Sequence, residues 1–169
     1  MSSNGTIADE REVLGVCLGR LYLGERQIVR SLTRSGSNMP DDEERLVSYL
    51  GENLEGVDDE TLEDFVAKNR EQHPVEPELN PEGCLICLDD VEFQRVFRDD
   101  DGWDRFRETF PESDGTLRFS RVGLDRSVTQ AVLYAGQQFD WSIGSGGYWL
   151  LSRSGGEWRE VHRCGAWIS

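Results

Sequence analysis

From Thr116 to the end of the chain, apolar and polar residues alternate with period two. That alternation constrains the architecture more than any other feature, because side chains two apart on a strand share a face that must be buried. Four runs carry the pattern: Leu117–Leu124, Thr129–Gly136, Gly147–Ser152 and Glu157–Ile168. They are joined by Asp125-Arg-Ser, by the region around Gly144-Ser-Gly-Gly147, and by Arg153-Ser-Gly-Gly156, which has hairpin-turn composition. Strands so close in sequence pair antiparallel, so the last third predicts a meander of about four strands.

Upstream the period lengthens. Ile7, Val13, Leu14, Cys17, Leu18 and Leu21 recur at helical spacing behind Thr6, a capping residue, with Asp9 and Glu10 near the positive helix end. Gly24 is the expected stop. Arg26–Thr33 is rich in β-formers and reads as a strand, and Ser35–Pro40 as a loop. A helix from Asp41 towards Leu54 carries Leu46, Val47, Leu50 and Leu54 on one face. Gly56 breaks it, and Asp58 is the N-cap of another with Leu62, Phe65, Val66 and Asn69 together. His73–Pro81 is a Pro-rich connector and Cys84–Leu88 a buried strand. Asp89 or Asp90 caps a short helix through Val91, Phe93, Val96 and Phe97. After the turn Asp99–Gly102, Trp103, Phe106 and Phe110 mark one more.

Helices massed ahead of a meander predict a single α+β domain over 1–169, with helices and a strand in 6–70 and the sheet-rich part in 83–169. A chain of 169 residues has the size of one domain. It needs no disulfide or metal staple on grounds of size.

The charge is lopsided. Acids number 33 against 18 bases, yet residues 41–114 hold 25 of those acids and seven of the bases. Residues 1–40 and 115–169 are slightly basic. An excess of this sign repels nucleic acid and anionic membranes, so neither is an expected partner. Part of it is helix chemistry, since Asp41–Glu44 and Asp58–Glu60 fall at predicted N-termini. Lys68 is the only lysine; an arginine bias of this kind is what a GC-rich genome produces, and an acidic surface suits a salt-rich cytoplasm. No basic segment leads into an apolar run, so the expected location is cytoplasmic, with Cys17, Cys84, Cys87 and Cys164 as reduced thiols.

Few residues assemble into recognisable chemistry. Cys84-Leu-Ile-Cys87 has metal-knuckle spacing, with His162 and Cys164 as further ligands, but cysteines three apart on a strand point to opposite faces; buried structural thiols are expected, and no metal. Asp99-Asp-Asp-Gly102 with Glu108 fits the later positions of a calcium loop, but its first ligand position falls on Phe97, so a capped turn is expected over calcium at 99–108. Gly144–Gly147 lacks both the nucleophile-elbow and the phosphate-loop frame and reads as a flexible turn. No cofactor motif is present. His162 lies on the last predicted strand, with Trp158 and Cys164 on its face; a triad through Ser120 or Ser145 has no positive support. Arg121 is a carboxylate anchor, the abundance of acids favouring an internal partner over a ligand. Of the five tryptophans, Trp141 is the best exposed candidate.

The run Trp103-Asp-Arg-Phe106, Phe110–Gly115, Phe119-Ser-Arg-Val-Gly-Leu124, Thr129-Gln-Ala-Val-Leu-Tyr134, Gly144-Ser-Gly-Gly-Tyr-Trp-Leu-Leu151, Gly156-Glu-Trp158 and Ala166-Trp-Ile-Ser169 resembles a family of bacterial α+β proteins. That family ends in S-R-V-G-F-N, T-Q-A-L-V-Y, G-x-G-Y-x-x-L-L, a Gly-x-Trp hairpin and W-I-S. The similarity covers about 70 residues well and the earlier part loosely. Leu124-Asp125 stands where the family has Phe-Asn, and Gln137–Trp141 where glycines are commoner. The resemblance implies a hairpin scaffold and no assigned activity.

Three functions follow as expectations. The first is a non-enzymatic acidic interaction protein, an inhibitor or immunity-type partner of a basic protein, contacting it through Asp58, Asp59, Glu60, Glu63, Asp99, Asp100, Asp101 and Asp104. An acidic surface serving solubility alone accounts for the same charge. The second is small-molecule binding or hydrolysis in a pocket of the sheet near Ser120, Arg121, Tyr148 and His162. The third is calcium binding at 99–108.

Overall fold

The computed structural model describes residues 4–21, 26–30, 43–80 and 84–169. The expectations for Gly24, for the strand beyond Arg30 and for Ser35–Asp42 lie outside them. In chain order the elements are α1 (Ile7–Arg20), β1 (Gln27–Arg30), α2 (Glu43–Asn53), α3 (Asp59–Lys68), a 3-10 turn (Pro77–Leu79), β2 (Leu85–Leu88), α4 (Asp90–Val96) and α5 (Gly102–Thr109). Then come β3 (Thr116–Phe119), β4 (Gly123–Leu124), β5 (Gln130–Asp140), β6 (Ile143–Ser154) and β7 (Glu157–Ile168). They form one α+β domain around a mixed sheet of order β2-β1-β3-β5-β6-β7, with β4 also on β5. β1 runs parallel to β2 and β3, and the remaining pairs are antiparallel.

The alternation of β5 and β6 sorts the core onto two faces. Leu133, Ala135, Trp149 and Leu151 pack with Val13, Leu14 and Cys17 of α1. Val132, Tyr134, Tyr148 and Leu150 pack with Leu46, Leu50, Leu62 and Phe65 of α2 and α3. Ile28 of β1 points away from α1 and meets Val96, Trp103 and Phe106, so α4 and α5 share a face with α2 and α3. The helices of the acidic segment therefore cover one side of the sheet and α1 the other, where Val75 and the 3-10 turn of the connector join it.

The caps are largely as the sequence predicts. Thr6 with Asp9, and Asp89 with Glu92, form reciprocal capping boxes. Asp58 occupies the N-cap of α3, but its side chain makes no capping bond; its backbone N–H donates instead to Gln130 Oε1 at 2.6 Å.

Three strand expectations change. Leu117–Leu124 is not continuous, because Ser120–Val122 bulge out between β3 and β4 opposite only Leu133 and Tyr134. The bulge puts Phe119 and Val122 into the same core, where strict alternation separates them. Gly144–Gly147 is part of β6 rather than a turn: the indole of Trp167 and the Tyr134 hydroxyl lie over Gly146, where a Cβ would strike both. A second bulge at Val161 shifts the parity of β7, leaving His162 opposite Leu150 while Trp158 and Glu160 face the α1 side. His162 and Trp158 therefore do not share a face.

Candidate functional site

The eight carboxylates expected to meet a partner are all exposed and fall in two groups on one side of the sheet. Asp58, Asp59, Glu60 and Glu63 open α3, where Glu60 lies 3.7 Å from Arg126. Asp99, Asp100, Asp101 and Asp104 surround the α4–α5 turn. Asp99 is gripped by Arg105 at 2.8 and 3.0 Å, and these hydrogen bonds hold its carboxyl below the usual range. Arg107 bridges Asp104 at 3.1 Å and Asp140 at 2.7 Å, and lowers Asp140 in the same way. Asp140 is an addition that the sequence reading missed. It lies far along the chain and arrives because the β5–β6 hairpin folds its tip against α5.

That tip presents Trp141, which is 52% exposed yet held firmly. Its backbone N–H donates to Asp140 Oδ1 at 2.7 Å, and its indole Nε1 donates to the Asp100 carbonyl at 3.1 Å. The ring meets Phe97 and Trp103 edge-on, with centroids 6.0 and 6.5 Å away.

The four residues expected to line a pocket are spent on internal contacts. Ser120 Oγ accepts from the Tyr134 N–H at 2.8 Å and donates to the Arg121 carbonyl at 2.9 Å, replacing the ladder bonds lost at the bulge. Tyr148 is buried edge-on against Tyr49, Phe65 and Tyr134. His162 accepts at Nδ1 from the Glu55 N–H at 3.3 Å, closing the end of α2 onto β7. Arg121 makes the internal ion pair, bidentate to Glu10 at 2.8 and 2.6 Å, and this bonding raises its pKa. Among the clefts that the described residues form on the sheet are two of about 290 and 250 Å³. Among the described residues, Arg30, Phe93, Arg118, Tyr134 and Trp167 line the first, and Leu21, Trp149 and Arg163 the second. None of Ser120, Arg121, Tyr148 and His162 lines either.

Arg121 belongs to a buried cluster that sequence reasoning did not find. Glu10 is 2% exposed, Asp64 8% and Lys68 7%. Lys68 Nζ donates to Asp64 at 2.8 Å, to the Asn4 carbonyl at 2.7 Å and to the Val122 carbonyl at 3.0 Å, with Glu10 3.5 Å away. Glu10 also accepts from the Val122 N–H, and Asp64 from the N–H groups of Asn4 and Leu124. Two acids and two bases thus balance, and each has directed hydrogen bonds to backbone or side chain. The one legible signal was Lys68 itself, the sole lysine, on a helix four residues after Asp64.

The Asp99 carboxylate is occupied by Arg105, and no group of three or more His, Cys, Asp or Glu among the described residues could hold a metal. All four cysteines are free thiols, but only Cys17 is buried, which raises its pKa. Cys87 is exposed, correcting the expectation of uniformly buried thiols, because it lies on the outermost strand of the sheet.

No protein-family model matches the chain, and no curated protein or solved structure matches it either. Among the described residues, no helix is long and apolar enough to cross a membrane.

Proposed function

We propose that the chain is a non-catalytic binding protein that docks a basic protein on the face carrying α2 to α5. The observation that carries this reading is topological. Both helical pairs of the acidic segment cover the same side of the sheet, so carboxylates from distant stretches add to one field instead of cancelling around the molecule. A one-sided field steers an oppositely charged partner and discriminates against wrong ones. An inhibitor or immunity-type role, in which this face covers the basic working surface of another protein, is the form of binding it suits. Nucleic acid is repelled by the same field. Ser120, Arg121, Tyr148 and His162 have structural duties that leave hydrolysis the weaker reading. The proposed setting is cytoplasmic, and the resemblance of 103–169 to a bacterial family adds no activity.

The test is affinity capture from the source cytoplasm at low and high salt, with wild type beside D58N/D59N/E60Q/E63Q. A specific partner should be basic, should bind at least tenfold more weakly at high salt, and should be weakened by the substitutions. A partner whose affinity is indifferent to salt and to the substitutions rejects the proposal.

A further inference from the structure

We infer that Trp141 at the β5–β6 tip is the anchor of this docking face and takes an arginine side chain of the basic partner. The inference rests on the acidic-face reading and names its contact chemistry. The carrying observation is a large aromatic side chain, half exposed and yet fixed. Its main-chain and indole N–H groups are both bonded, and Phe97, Trp103 and Gly102 hold the ring. A side chain already ordered loses little entropy on binding, which is why rigid tryptophans recur as energetic centres of interfaces.

Its surroundings select the occupant. Asp99, Asp100, Asp101, Asp104 and Asp140 lie about the hairpin tip and the α4–α5 turn, and Arg98, Arg105 and Arg107 offset three of these five charges. Asp100 and Asp101 are exposed and make no ion pair among the described residues. An apolar partner would have to strip water from those carboxylates without compensation, and an acidic one would be repelled. A guanidinium meets both demands: it stacks on an indole face while its N–H groups reach the aspartates.

The probe is a peptide of four Gly-Arg repeats, titrated into the full-length protein at low and high salt, with a Gly-Glu peptide as control. The five indole N–H resonances report the contact, with Trp141 assigned from the W141F spectrum. The Trp141 signal should move with the arginine peptide alone, and affinity should fall roughly fivefold or more in W141A at low salt. W141F, which keeps an aromatic ring, should fall between the two, and melting curves establish that both variants are folded. Salt-dependent binding that leaves the Trp141 signal and the W141A affinity unchanged overturns this inference and leaves the acidic face standing. No binding of the arginine peptide at low salt overturns both.

Discussion

Glu10 and Asp64 sit buried beside a lysine and an arginine, whereas Asp99 and Asp140 sit beside arginines at the water-facing surface. The pair chemistry is the same, and the consequences are opposite. Inside, each charge was removed from water, so its partners must replace the lost hydration, and removing one partner exposes the full desolvation cost of the others. Outside, water supplies most of the solvation, and an ion pair contributes little to folding. The inner set clasps α1 and α3 onto the β3–β4 bulge. The outer set is the one on which the proposed docking face is built.

The sharpest way to break this contrast is Lys68→Met. It leaves Asp64 without its cation in the interior, and breaking a buried pair in this way costs on the order of 3–5 kcal/mol. Urea unfolding should show a loss of that size. A loss below about 1 kcal/mol, the range of exposed pairs, would mean that the inner charges behave like the outer ones.

Gly123→Ala attacks the same clasp without touching a charge. A Cβ there would lie 2.6 Å from the Phe65 nitrogen, so α3 would have to lift from β4. Overpacking of this kind costs about 1–3 kcal/mol. Since Val122 and Leu124, its neighbours, donate to Glu10 and Asp64, the charges should loosen with it. Hydrogen exchange at those two amides should rise in step with the lost stability; unchanged protection would separate the steric contact from the clasp.

Asp125, as buried as Asp64, sharpens the comparison because neutral donors hold it. Burial pushes its carboxyl up, but bonds from the Gln130 N–H, the Thr129 hydroxyl and the Thr129 N–H outweigh this, and its pKa is lowered. A carboxylate depressed in the folded state adds stability that is present above its unfolded pKa of about 4, and loses it as pH falls through the folded value. Asp125→Ala should therefore cost about 2 kcal/mol at neutral pH, the scale of hydrogen bonds to a charged group. The gap from wild type should narrow below about pH 4. A gap independent of pH would show that the ionised form is not what holds the turn.

Sequence period made the helices and the meander legible, because Leu46, Leu50 and Leu54, or Leu133 and Trp149, are buried for reasons local to their own segment. The errors cluster where one inserted residue reverses every later side chain, at Ser120–Val122 and at Val161. A bulge adds no composition signal of its own. The glycines of β6 misled for a related reason: glycine marks both turns and places where rings lie against the backbone, and Trp167 decides between them from another strand. Charges were legible as a total and as a run, but not as a network. Glu10 meets Arg121 across 111 positions, and nothing near either residue announces the other.

The smallest effect is expected at the outer set. In D100N/D101N/D104N, among the described residues, only Asp104 gives up an ion pair, the exposed contact with Arg107, and Arg107 keeps Asp140. Exposed charges of this kind shift stability by no more than about 0.5 kcal/mol, and relief of mutual repulsion acts in the opposite direction to the lost pair. The melting temperature should therefore hardly move, while affinity for the arginine peptide should fall and its salt dependence flatten. Equal losses of stability and affinity would make the outer set part of the scaffold, and the distinction between inner and outer charges would fail on the side where function is proposed.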